Sequence, residues 1–193
     1  MTASGPLPGS VEESTAFIGI GSNLGDKVEA FITVLGKLKI LEKSRLTAVS
    51  SLYETSPVGL EGGPFLNAVA VIETRLGPNE LLEKLLSMEA TLGRTRKHGG
   101  TDARIIDLDL LLYDDTVVEG NGLILPHPRM LLRRFVMEPL AELVPDLVIP
   151  PTGITASEAA KALEKNHPEQ KVRRVGTLEE VKIADSLKLN ADS

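Results

Sequence analysis

Nine residues, Ile105 to Tyr113, read Ile-Ile-Asp-Leu-Asp-Leu-Leu-Leu-Tyr and constrain the fold more than any other stretch of the chain. With a period of two, Ile106, Leu108, Leu110 and Leu112 share one side of a strand, and Ile105, Asp107, Asp109, Leu111 and Tyr113 share the other. The first side is wholly apolar and must lie against a core. The second carries two carboxylates in the middle of an apolar run, where an unpaired charge is strongly destabilising. Something has to compensate them. A hard divalent cation such as Mg2+ accepts side-by-side carboxylates and keeps positions for water and phosphate. Arg94, Arg96 and Arg104 lie just upstream, with guanidinium forks that match phosphate oxygens. The same three arginines also suit a structural salt-bridge network with Asp107 and Asp109. Charge pattern alone does not separate the two readings.

Composition narrows the field. A length of 193 residues with 42% hydrophobic content predicts one domain with a real core. A net charge of −6 argues against a nucleic-acid footprint over the whole surface. The absence of cysteine removes disulfides, thiolate metal sites and cysteine nucleophiles, and fits a reducing, cytoplasmic setting. His98, His127 and His167 are not spaced as a zinc motif. No run is long and apolar enough to span a membrane, and Met1 to Ser14 lacks the features of a signal peptide. Three spans are expected: an N-terminal tail over 1–14, a single domain over 15–178 and a polar C-terminal tail over 179–193.

Periodicity predicts a strand over Ala16 to Ile20, a helix from about Asp26 to Leu41 and a strand over Leu46 to Thr55. A turn-rich loop, Ser56 to Pro64, precedes a strand over Phe65 to Thr74. Pro78 and Gly93 bracket a second helix with Leu81, Leu82, Leu85, Met88 and Leu92 as its buried stripe, and the aspartate strand follows. The order β-α-β-β-α-β is the split arrangement of an α+β, ferredoxin-like fold: an antiparallel sheet with two helices on one face and the other left for binding. Short strand pieces at Val117-Val118 and Leu123 to Leu125, a helix over Arg129 to Met137 that Pro139 interrupts, and a helix over Thr155 to Lys165 with a capping box complete the expected C-terminal additions.

Gly19-x-Gly21-x-x-x-Gly25 misses the dinucleotide fingerprint by one residue, so these glycines read as turn-formers, and no P-loop pattern occurs. Asn67, alone among apolar strand residues, needs partners if buried; its amide suits either a flat heterocycle with an amide-like edge or nearby backbone. Phe65 suits stacking on such a ring or packing in the core. His127 is held between two prolines.

Together these segments resemble the 6-hydroxymethyl-7,8-dihydropterin pyrophosphokinase family. The matching pieces are Ile18 to Gly25, Tyr53 to Gly59, Phe65 to Val69, Glu89 to Arg96, Arg104 to Tyr113 and Leu125 to Leu140, in family order. The resemblance implies transfer of diphosphate from ATP to the pterin alcohol, releasing AMP, in folate synthesis. It implies two Mg2+ ions on Asp107 and Asp109, and charge stabilisation by Arg94 and Arg104. It places ATP on Glu89, Arg94, Arg96, Leu110, His127 and Arg133. It places the pterin among Thr55, Pro57, Val58, Phe65, Asn67 and Phe135. Partners are then the two small-molecule substrates, with no nucleic acid, no membrane and a monomeric chain. Lys97 to Ala103 and Ser56 to Pro64 are candidate lids, although the family's Trp-Gly-Pro-Arg is replaced here by Gly100-Thr101-Asp102-Ala103-Arg104 and the chain has no Trp. Arg134 is a further cation without an assigned role. A metal-dependent phosphohydrolase using the same aspartates, or a non-enzymatic ligand-sensing module, are the competing classes.

Overall fold

The structure is a computed structural model and describes residues 13–55, 63–92, 105–120 and 122–182. Strand β1 (Ser14–Ser22) leads into helix α1 (Lys27–Lys39), and β2 (Ser44–Val49) and β3 (Leu52–Thr55) lead into β4 (Phe65–Thr74). Helix α2 (Pro78–Thr91) and strand β5 (Asp107–Tyr113) close the expected core. Beyond it come the hairpin β6 (Val118–Gly120) and β7 (Leu123–Leu125), a 3-10 turn at Met130–Leu132, and helix α3 (Arg134–Leu143). The hairpin β8 (Val148–Ile149) and β9 (Ile154–Thr155), helix α4 (Ala156–Asn166) and β10 (Val172–Gly176) finish the chain of elements.

The main sheet runs β10-β3-β4-β1-β5, every pair antiparallel, with β2 on the same side of β4 as β3. This is the ferredoxin-like order with β10 added at one edge. On one face Ala16, Ile18, Ile20, Leu66, Ala68, Ala70, Ile72, Leu108 and Leu110 meet Phe31, Val34 and Leu38 of α1 and Leu81 and Leu85 of α2 in an apolar core. Asp26 caps α1 by accepting the Glu29 N–H, and Pro78 opens α2, as their side chains favour. The opposite face is not left wholly bare. Phe17, Val69, Val71, Leu111 and Leu112 form a second core with Met130, Val136, Met137 and Leu140, and with Ala159, Ala160 and Leu163 of α4. Helices α3 and α4 therefore cover one end of that face, and among the described residues the other end remains open.

Four local departures from the sequence expectation matter for the site. The β1–β5 register slips between Phe17 and Ile18, which leaves Leu111 as an extra residue in β5. Tyr113 is thereby turned to the helix side, where its hydroxyl donates to the Leu76 carbonyl at 2.7 Å. Leu112 is turned to the other side with Leu111. The strand expected over Leu46 to Thr55 breaks at Ser50-Ser51. There the Ser50 N–H donates to the Val69 carbonyl at 2.9 Å, and Ser50 Oγ accepts the Val69 N–H at 3.0 Å. Helix α3 begins later than expected and runs through Pro139, because Val136, Met137, Pro139 and Leu140 are all buried and packing outweighs the lost N–H donor. Residues 178–182 are helical, capped by Thr177 and Glu180, and Val181 packs on the core where a polar tail was expected.

Candidate active site

The open end of the sheet is built from adjacent rows of paired residues. In one row Tyr53 pairs with Asn67, Asn67 with Gly21, and Gly21 with Asp107. In the neighbouring row, at the border with the covered end, Val69 of the second core pairs with Gly19, and Gly19 with Asp109. Paired residues point to the same side, so the central strand offers only hydrogen atoms between the Asn67 strand and the aspartate strand. The result is a trough about 10 Å across, two strand spacings wide. A Cβ on Gly19 would lie 3.3 Å from the Leu111 side chain, and one on Gly21 3.4 Å from Asn67 Oδ1. The turn-former reading therefore holds for Gly25, whose φ is +62°, and not for Gly19 or Gly21, which are strand residues. Their spacing of two inside a strand was the signal: a bare stripe on one face.

Asn67 is 5% exposed. Its amide nitrogen donates to the Tyr53 carbonyl at 3.3 Å and to Thr55 Oγ1 at 3.1 Å. With the NH2 group tied to β3, Oδ1 is turned toward Gly21 and the trough as an acceptor. Phe65 stands on the same side of β4, two residues away, and is half-buried.

Across the trough, β5 is anchored from below and from its start. Glu89 of α2, 1% exposed, accepts the Leu108 N–H at 2.7 Å, and Ser22 Oγ donates to the Ile105 carbonyl at 2.5 Å. These bonds fix the strand on both sides of Asp107. Asp109 faces Arg133 Nη1 at 3.5 Å and His127 Nε2 at 3.8 Å. The bulge places His127 here, because the Leu111 carbonyl accepts the His127 N–H at 2.8 Å. His127 Nδ1 accepts the Arg129 N–H at 3.3 Å, which assigns the ring proton of the neutral form to Nε2, toward Asp109. Burial pushes the imidazole below its ordinary value against the pull of Asp109, with Arg133 and Arg129 adding to the depression. Arg133 also lies 5.4 Å from the centre of the Phe135 ring, a cation–π contact that orders both side chains at the start of α3.

Among the described residues no group of three or more His, Cys, Asp or Glu is placed to hold a metal ion. Asp107 and Asp109 share one face and are half-exposed, so they fit a hard cation that takes part of its shell from phosphate and water.

A sequence profile of the 7,8-dihydro-6-hydroxymethylpterin-pyrophosphokinase family matches residues 17–145. The chain belongs to this family. A 2-amino-4-hydroxy-6-hydroxymethyldihydropteridine pyrophosphokinase of Methylorubrum extorquens is 42% identical over 150 residues, 77% of this chain and 93% of that one. The folic acid synthesis protein fol1 of Schizosaccharomyces pombe is 41% identical over 175 residues, 90% of this chain, which spans only 23% of that longer protein. In fold, the chain is similar to Plasmodium falciparum HPPK-DHPS, with a TM-score of 0.67 at 14% identity, covering 82% of this chain and 46% of that one.

Of the residues that the family resemblance singles out, Thr55, Phe65, Asn67, Asp107, Asp109, His127, Arg133 and Phe135 lie on the open sheet end or at its rim on α3. Glu89 is carried on the helix side, beneath β5. The Leu110 side chain is in the core with the helices, on the opposite sheet face from Asp109, so only its backbone borders the aspartates. Arg94, Arg96, Arg104, Pro57 and Val58, with the greater part of both candidate lids, lie outside the described residues.

Arg134, the cation left without a role, is 9% exposed and bound within the additions. Its Nε donates to Glu138 at 2.7 Å and its Nη1 to the Gln170 carbonyl at 3.0 Å, while Nη2 faces Glu164 of α4 at 3.7 Å. It ties α3 to α4 and to the segment before β10. The Glu138 pair is four residues along the same helix, whereas Glu164 and Gln170 lie 30 and 36 residues away and leave no local sign in the sequence.

Proposed function

We propose that the protein transfers diphosphate from ATP to the hydroxymethyl group of 6-hydroxymethyl-7,8-dihydropterin, giving AMP and the pterin diphosphate. Family membership and the printed names of the relatives support the activity. The observation that carries the reading is the row Asn67–Gly21–Asp107, which sets a heterocycle-edge acceptor and a phosphate-side carboxylate on one open surface with nothing but glycine between them.

In this reading Asn67 Oδ1 accepts an N–H from the pterin edge, and Phe65 and Phe135 offer ring faces to it. Arg133 and the neutral His127 present N–H donors beside Asp109, where ATP oxygens would arrive. Arg94 and Arg104 bear on the transferring group and Arg96 on the nucleotide side, while Glu89 acts from beneath by holding the Leu108 N–H and with it the aspartate strand. Two Mg2+ ions held by Asp107 and Asp109 would neutralise phosphate charge and orient the phosphorus toward the incoming hydroxyl. The remaining work is alignment: a floor stripped of side chains lets the two substrates approach in line.

Product analysis with ATP, Mg2+ and the reduced hydroxymethylpterin tests this. Wild type should form AMP only when pterin and Mg2+ are both present. Asp107→Ala and Asp109→Ala should each lose on the order of a thousandfold in turnover, the size of several kcal/mol of charge stabilisation. ADP or inorganic phosphate as the product would replace the reading with a kinase or a phosphohydrolase.

A further inference from the structure

Helix α3 touches the site at two points, and only the first belongs to the reading above. At its start it carries Arg133 and Phe135. Near its end it carries Glu142, which lies far from the aspartates in sequence and matches no role given above. Glu142 Oε1 accepts the Ser51 N–H at 3.0 Å and the Ser51 hydroxyl at 2.8 Å, and Oε2 accepts the Tyr53 hydroxyl at 2.7 Å. Arg174 of β10 stands 3.8 Å from Oε2. One carboxylate thus gathers the break between β2 and β3, the first half of β3, and the added edge strand.

The position of those bonds is what gives them consequence. Ser50-Ser51 is where the β2–β4 ladder gives way to the β3–β4 ladder with a changed register, so ordinary strand pairing does not by itself fix the start of β3. β3 is only four residues long. Yet its Tyr53 carbonyl and Thr55 hydroxyl are the two acceptors that hold the Asn67 amide with Oδ1 toward the trough. Tyr53 itself is 7% exposed, and burial together with the Glu142 bond raises its phenol well above the ordinary value, so it remains a neutral donor. The chain of contacts is continuous: Glu142 to Ser51 and Tyr53, the Tyr53 backbone to Asn67, and Asn67 to the open floor.

We propose that Glu142 is a positioning residue for the pterin side of the site. It locks β3 to α3 so that Asn67 is pre-oriented before the heterocycle arrives. The proposal rests on the pyrophosphokinase reading for its choice of substrate, and on the hydrogen-bond chain for its residue.

The test compares the full chain as wild type, Glu142→Ala, Glu142→Gln and Tyr53→Phe. Two quantities are read: the KM for pterin and for ATP separately, and amide hydrogen exchange without substrates. Glu142→Ala should raise the pterin KM about tenfold, the size expected for one charge-assisted hydrogen bond, and leave the ATP KM within about twofold. Glu142→Gln should recover much of the loss, because its amide oxygen still accepts both Ser51 donors, and Tyr53→Phe should fall between the two. Exchange should quicken at residues 51–55 and 66–69 in Glu142→Ala and stay unchanged in α1 and α2. If both KM values rise together, if Gln is no better than Ala, or if exchange quickens uniformly, Glu142 is a general stabiliser and the proposal is overturned. A wild type that makes no pterin diphosphate would refute the functional reading alone, and the exchange contrast would still decide whether Glu142 holds the strand.

Discussion

The two ends of one sheet face differ more than the two faces do. At the covered end, β1, β4 and β5 present Phe17, Val71 and Leu112, and α3 and α4 close over them as a second core. At the open end the same three strands present Gly19 and Gly21, Asn67, and Asp107 and Asp109. Backbone pairing continues through both. What changes is side-chain chemistry within a two-residue step of β1, from Phe17 to Gly19. A large apolar residue at the centre of the sheet draws a helix onto it, whereas a glycine leaves the floor low and the neighbouring polar groups reachable. The site is therefore defined as much by what the central strand lacks as by the carboxylates beside it.

That contrast can be broken by giving the open end a side chain. Gly21→Val suits a strand and meets no backbone, so thermal stability should be retained while pterin turnover falls on the order of a hundredfold, about 2.7 kcal/mol. Retained turnover at wild-type KM would show that no substrate lies over Gly21. A smaller effect is expected from Asn67→Leu, which keeps the branched shape but removes the acceptor and the two bonds to β3: the pterin KM should rise about tenfold, with the ATP KM steady in a two-substrate assay. At the covered end the signs should reverse. Met137 is fully buried, and Met137→Ala should cost about 2–5 kcal/mol in denaturant unfolding while KM for both substrates stays within about twofold.

The smallest effect concerns pH. Burial pushes the Glu142 carboxyl up, but hydrogen bonds from Tyr53 and Ser51 outweigh it and, with Arg174, hold the group below the usual carboxylate range. A depressed value means that the folded state binds this proton less readily than the unfolded chain does. The contribution is therefore present above the unfolded value of about 4.3 and is lost as pH falls through the folded value. The Tm difference between wild type and Glu142→Ala should be constant at neutral pH and narrow in acid below that range. A difference that widens in acid would contradict the assignment.

Much of this was legible in the residues. Strict alternation in Ile105 to Leu110 placed the aspartates together on one side and the leucines in the core, and helical spacing with Asp26, Pro78 and the Thr155–Glu158 capping box set the helices. What alternation could not show was its own failure. Nothing local marks Leu111 as the bulged residue, and that single slip reverses Leu112 and Tyr113 and frees the carbonyl that aims His127. Gly19 and Gly21 are visible in the sequence but read as turn-formers, because glycine signals a turn in most contexts and a bare stripe only when the strand's period is applied to it. Pro139 reads locally as a helix stop, and buried neighbours on both sides override that rule. Glu142 holds Ser51, 91 residues away, and Arg134, besides its i,i+4 partner Glu138, holds Gln170, 36 residues away; pairing and packing create these long contacts and no short window contains them.

In the proposed reaction ATP and the pterin meet on the open end of this sheet face. Backbone amide shifts of the labelled full chain, recorded as pterin, Mg2+ and a non-hydrolysable ATP analogue are added, test it most directly. The account predicts the largest shifts at Gly19, Gly21, Asn67, Asp107, Asp109 and His127, with Val71, Met137 and the α1–α2 side nearly still. Shifts concentrated on α1 and α2, or on the α3–α4 core, would place the ligands elsewhere and contradict it.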